Sequence, residues 1–153
     1  MQPIESLFAD YASYHRTKGN KMFHRAGIPL IVLTLIGMLA RLSIHVGDMR
    51  IDAAMLLIVV AFAYYVALEW RLAIAMLAVT IAFYFLGRAL PMWLNVALFV
   101  LGWVFQFIGH SAYEHRQPAF MRNLVHLMVG PLWIMNDVIP VVRGGTEERV
   151  GTT

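Results

Sequence analysis

Four apolar runs, parted by short polar breaks, constrain this chain more than any other feature. The run IPLIVLTLIGMLARLSI, within Gly27 to about Ile44, carries a single charge, Arg41, near its far end. A helix of about eighteen residues rises about 27 Å, close to the ~30 Å hydrocarbon core of a bilayer. From its position Arg41 can reach the headgroups along its own stem. Comparable runs follow at about Ala53–Leu68, at Leu72–Leu86, and from Pro91 to about Tyr113. Trp70, Trp93 and Tyr113 fall near predicted ends, where aromatic rings favour the membrane interface. Composition agrees, with 60% hydrophobic and 14% charged residues. A soluble domain carries about 25% charged residues to cover its wet surface. The expected fold class is all-α: an integral membrane bundle of about four transmembrane helices.

The flanking segments are different in character. Residues 3–17 read as an amphipathic helix. Pro3 suits an early helical position. Ile4, Leu7, Phe8, Tyr11, Tyr14 and His15 share one face at helical spacing. This helix is too polar to span and is expected at the interface, its apolar face toward lipid or the bundle. A break is expected at Gly19-Asn20. Residues 1–27 lack the apolar core of a signal peptide, so no cleaved leader is expected. His45, Gly47, Asp48, Arg50 and Asp52 form a polar connection after the first run. Glu69-Trp70-Arg71 forms a tight hinge between the second and third. Residues 114–122 read as a polar loop. Asn123 to Val142 contains His126, Gly130, Pro131, Asn136, Asp137 and Pro140, and is expected to be a broken or re-entrant helix. The expected layout is one membrane domain over 1–153. It has an interfacial helix and motif in 1–26, four spans in 27–113, a loop and broken helix in 114–142, and a mobile tail in 143–153.

Lysine and arginine counts orient the bundle. With four spans, Arg16, Lys18, Lys21, Arg25, Arg71, Arg116, Arg122, Arg143 and Arg149 share the side of the N-terminus. Only Arg41, Arg50 and Arg88 fall on the other side. The N-terminus is therefore expected in the cytoplasm. The net charge of +3 is small and dispersed. It suits anionic lipid headgroups, and no nucleic-acid partner is expected.

Chemistry is bounded by what is missing. The chain has no cysteine, which excludes disulfides, thiolate metal sites and cysteine nucleophiles. No nucleophile elbow, Walker loop or dinucleotide fingerprint occurs. Two histidine clusters remain. His15 and His24 precede the first run, and His110, Glu114 and His115 close the fourth. An even number of spans between them puts both clusters on one membrane face. His110 and Glu114, four apart, share a helix face. His15 and His24, nine apart, face opposite ways on an unbroken helix and converge only if it breaks between them. Several neutral imidazoles and one carboxylate suit Fe(II), Mn or Zn. The plainer readings stand beside this one. Interfacial histidines often only meet headgroups, Glu114 has Arg116 and His115 for ion-pair partners, and Asn20 is of a type that commonly caps turns. His45 is expected to be an ordinary interfacial residue. Asp137 invites a functional role within its apolar stretch, unless the break keeps it hydrated.

The two clusters carry a family resemblance. YASYHRTKGNKMFHRAGIP, residues 11–29, is similar to the opening Y-x-x-Y-H-x(4)-N-x(3)-H-x-x-G-x-P. FQFIGHSAYEHRQPA, residues 105–119, is similar to Q-F-x-G-H-x-x-x-E-x-x-x-P-A. Both belong to the small membrane proteins related to the fungal 2-hydroxy-fatty-acid dioxygenase of phytosphingosine breakdown. The resemblance runs through nearly the whole chain in span order. It implies an Fe(II)-dependent dioxygenase of fatty-acid α-oxidation, with a 2-hydroxy fatty acid and O2 as partners. It makes His15, His24 and His110 metal ligands, Glu114 a ligand or a support for one, and Asn20 a supporting residue. The family pattern has Lys at the position of His115 and no histidine at that of His126, so neither inherits a role. A long acyl chain partitions into lipid at about 0.8 kcal/mol per methylene, which leaves its polar head at the depth expected for the clusters. Lys18, Lys21 and Arg25 are placed to attract that head or anionic lipid, although positive-inside bias alone accounts for most of them. Two rivals remain: a non-catalytic haem- or metal-binding membrane protein, and a scaffold with merely interfacial histidines. A zinc-dependent lipid hydrolase is a third. Homo-oligomerisation stays open. The short chain without an obvious retention signal favours a bacterial inner membrane over the endoplasmic reticulum.

Overall fold

The computed structural model describes residues 2–115 and 123–142. Most of the expected polar loop, with Arg116 and Arg122, lies outside the described residues, as does the expected tail with Arg143 and Arg149.

Helix α1 spans Ile4–Ser13, preceded by Pro3, whose carbonyl accepts from the Ser6 and Leu7 amides. Its buried face is Ile4, Leu7, Phe8 and Tyr11, as the spacing predicts. That face docks on the bundle, where it joins Val129, Leu132 and Trp133 in one apolar core.

Helix α2 spans Lys18–Leu39 and begins earlier than the expected Gly27. The break between His15 and His24 does exist, but it lies at Tyr14–Thr17, not at Gly19-Asn20. Thr17 explains the position, because its hydroxyl accepts from the Asn20 amide and caps the new helix. Gly19 therefore sits inside a helical turn, and its role is close approach. A Cβ there would lie 2.3 Å from the Tyr113 ring. Further along, α2 crosses α5 (Met92–Ile108) where Gly27 meets Gly102, and α4 (Trp70–Ala89) where Gly37 meets Gly87. Added Cβ atoms at these crossings would lie 2.7–3.0 Å from the facing glycine's backbone. Small residues at such crossings let helix backbones pack closely without a water-driven core.

The connection after α2 is a β-hairpin, which corrects the all-α expectation. β1 (Ser43–Val46) pairs antiparallel with β2 (Met49–Asp52) around Gly47-Asp48. Gly47 takes φ +60, a left-handed value that glycine reaches without a Cβ clash. His45 is exposed on this hairpin. Asp52 ends it and caps α3 (Ala53–Leu68) by accepting from the Met55 amide. Glu69 is the extended residue that separates α3 from α4 (Trp70–Ala89). Pro91 opens α5 (Met92–Ile108), which continues as a π-helical turn over Gly109–Glu114. His115 closes that turn with φ 51, its amide donating to the His110 carbonyl.

Helix α6 spans Val125–Val138 and runs unbroken through Pro131, against the expected break. Burial of Val129, Leu132 and Trp133 on either side of the proline offsets the one lost backbone bond. The chain turns only after the helix, where Asn136 accepts from the Val141 and Val142 amides and donates to the Val142 carbonyl. Asp137 at this end pairs with Arg25 of α2 at 2.8 Å, which ties α6 to α2.

Among the described residues three helices are long and apolar enough to cross a membrane, α2, α4 and α5 with its π-turn; α3 is apolar but has only 16 residues. Their outward faces are apolar. Val60 and Phe85 are each 65% exposed and Trp93 is 70% exposed. A chain that turns such residues outward while burying asparagine and histidine suits lipid as its solvent.

Candidate metal centre

The chain returns after α5 to the level at which α2 began, so the two motif segments meet. His15 stands in the break before α2, His24 early in α2, and His110 in the π-turn. All three are buried, at 1–2% exposure. Their ring centroids lie 4.3 Å (His15–His24), 4.7 Å (His24–His110) and 4.9 Å (His15–His110) apart. One ligand atom from each lies within 4.8 Å of the other two, and it is the only such group among the described residues.

Backbone carbonyls fix two of the tautomers. His15 Nδ1 lies 2.6 Å from the Tyr11 carbonyl, and His24 Nδ1 lies 3.0 Å from the Asn20 carbonyl. A carbonyl only accepts, so Nδ1 carries the proton in both rings and Nε2 keeps its lone pair. Such an outside partner is the usual companion of a metal-ligating histidine. His15 Nε2 and His110 Nδ1 are buried with no hydrogen-bond partner. Burying an unpaired imidazole nitrogen costs about 1–3 kcal/mol, and a cation at the common point would remove that cost. Burial, opposed by the Tyr11 carbonyl and aided by nearby His110, lowers the His15 pKa to about 4. The ring is thus neutral, the form that binds metal. Three neutral imidazoles with converging lone pairs fit a divalent transition metal.

Glu114 stands in the layer around the cluster. Its Oε1 accepts from the Thr17 amide (2.8 Å), the Thr17 hydroxyl (3.0 Å) and Asn20 Nδ2 (3.2 Å). It therefore clamps the end of α5 to the start of α2, where the helix dipole favours a carboxylate. Asn20 also donates to the Tyr14 carbonyl across the break. Asn20 and Glu114 thus hold the two segments whose histidines meet.

The cluster opens onto a cavity of about 70 Å³ lined also by Tyr11, Ile28, Gln106 and His126. That cavity abuts an apolar chamber of about 280 Å³ along Ile31, Val32, Trp103, Leu127 and Pro131. Of the cations expected near a substrate head, Arg25 is taken by Asp137, and Lys21 Nζ lies 5.9 Å above the Trp133 ring.

Sequence reasoning missed Thr17, Tyr11 and the His126–Asp10 contact. Thr17 was readable as a helix cap. Tyr11 lies four residues before His15, one helical turn away. Asp10 and His126 are 116 residues apart, and no local pattern joins them.

The chain is 27% identical over 139 residues to the 2-hydroxy-palmitic acid dioxygenase MPO1 of Saccharomyces cerevisiae, which covers 89% of this chain and 79% of that protein. No solved structure matches it. The family described as Mpo1-like, 2-hydroxy-palmitic acid dioxygenase Mpo1-like, matches residues 1–141. That span takes in all three histidines and every described helix, and the chain belongs to the Mpo1-like family.

Proposed function

We propose that this chain is a membrane-embedded non-haem Fe(II) dioxygenase that cleaves 2-hydroxy fatty acids with O2 and shortens them by one carbon. The observation that carries the reading is the meeting of His15, His24 and His110, as neutral buried imidazoles, beside an apolar chamber at one end of long apolar helices. The yeast relative's name supports an O2-using chemistry over hydrolysis.

His15, His24 and His110 would hold the iron. Iron, when bound, supplies the one-electron chemistry that lets O2 react with a closed-shell acid. Glu114 and Asn20 hold the break and the π-turn together, so that the three rings keep their places. Among the described residues the group that could hold the ion is three histidines without a carboxylate. A dication there keeps most of its charge, which favours an anionic substrate head over a neutral lipid. The chamber takes the acyl chain. With O2 as sole oxidant the balance is closed. The C1–C2 bond breaks, C2 becomes the new carboxyl carbon, and C1 leaves as CO2 with one water. C2 gives up three electrons and C1 one, and O2 takes all four. The lysine and arginine bias supports a cytoplasmic position for this end of the bundle.

The test is product analysis by mass spectrometry on the full chain in detergent, loaded anaerobically with Fe(II) and given 2-hydroxypalmitate. Admission of O2 should yield the fifteen-carbon acid in step with the O2 consumed. Iron-loaded protein that yields none, or a product that forms without O2, would contradict the reading.

A further inference from the structure

The triad leaves a fourth histidine on the same cavity unexplained. His126 lies at the start of α6 and is buried. Its Nε2 lies 2.8 Å from Oδ2 of Asp10 on α1. A carboxylate only accepts, so the tautomer that Asp10 selects carries its proton on Nε2 and keeps the Nδ1 lone pair. Nδ1 is buried and has no hydrogen-bond partner. Gln106 of α5 lines the same cavity, and its Nε2, which only donates, is likewise buried without a partner. Beyond the metal-binding nitrogens, the cavity thus holds one orphan acceptor and one orphan donor, in walls otherwise made of groups such as Ile28 and Ile31. Buried polar atoms in native structures are nearly always paired, and two orphans on one cavity mark where a ligand's polar groups belong.

A 2-hydroxy acid carries the complement: an O–H that donates and a carboxylate that accepts. Resting on the dioxygenase reading, we infer that His126 Nδ1 accepts a hydrogen bond from the substrate 2-hydroxyl while Gln106 Nε2 donates to its carboxylate. The pair selects 2-hydroxy acids over plain fatty acids. Asp10 is a positioning residue, since it holds the His126 ring in the tautomer that accepts. A site built to pair a hydroxyl rejects the analogue that lacks it, because its own polar group is then left unpaired. The family resemblance gives position 126 no role, so this hydroxyl contact is a property of this chain.

The test is equilibrium binding of 2-hydroxypalmitate and of palmitate to the full-length protein in detergent, anaerobically loaded with Fe(II), with iron content measured alongside. The wild type should prefer 2-hydroxypalmitate at least about tenfold. His126→Phe should lower that preference about tenfold while palmitate affinity and iron content hold, and His126→Asn, which keeps an acceptor, should restore most of it. Gln106→Leu should weaken both acids alike, since both carry the carboxylate. An unchanged preference in iron-loaded His126→Phe overturns the inference. If that variant fails to fold, Asp10→Ala decides at a half-exposed position: a several-fold loss of preference supports the inference, and none overturns it. Wild-type protein that takes up iron but binds neither acid overturns the dioxygenase reading, and this inference with it.

Discussion

Two of the three histidines of the candidate centre are held from outside it. The Tyr11 and Asn20 carbonyls set the His15 and His24 rings, and Glu114 gathers the Thr17 and Asn20 donors. Outer partners of this kind are worth 10–100-fold in metal affinity. Glu114→Gln should therefore bind iron 10–100-fold more weakly but still to about one per chain at saturation, which an anaerobic titration measures. Loss of all binding would make Glu114 itself a ligand. The pH dependence follows from His15, whose folded pKa of about 4 lies below its ordinary 6.5. As pH falls below 6.5 the unfolded chain takes up the proton first, so the stabilising contribution is fully present above 6.5 and is lost as pH falls to about 4. The thermal midpoint of metal-free protein should fall between pH 7 and pH 5, and His15→Gln should flatten that slope.

At the scale of elements, the centre depends on a break and on a dock. The break lies between α1 and α2, where Thr17 restarts the helix and lets two histidines nine residues apart face each other. The dock is α1 on α6, through Phe8, which is fully buried, and Trp133. Large-to-small changes at such positions cost about 3–5 kcal/mol. Phe8→Ala should destabilise by about that much in a thermal or denaturant measurement, and should loosen iron by freeing His15. The amphipathic spacing of α1 was legible in sequence, because burial of one face imposes it. The hinge at Glu69 was legible as well. The β-hairpin was not read, although Ile44 and Val46 face Met49 and Ile51 across Gly47-Asp48, a short alternating pattern that is easily lost between long apolar runs. The break was misplaced because Gly19 was read for its backbone freedom, whereas the Tyr113 ring is what requires it.

For the whole molecule, the return of the chain after α5 to the level at which α2 began is what counts. It brings His24 and His110 together from the two ends of the apolar sequence, the meeting of the two motif clusters that the sequence leads one to expect. The chamber was not legible, because its walls come from α2, α3, α4, α5 and α6 and each contributes ordinary apolar residues. Ala61 is one of those walls. Ala61→Phe should cut turnover of 2-hydroxypalmitate about tenfold and spare a ten-carbon 2-hydroxy acid, which a chain-length series would read. The most direct test of the central claim is metal content by mass spectrometry on the purified full chain after anaerobic Fe(II) reconstitution, wild type beside His110→Ala. About one iron per chain in the wild type, lost in the variant, is the predicted result. A wild-type protein that holds no iron under those conditions would contradict the account.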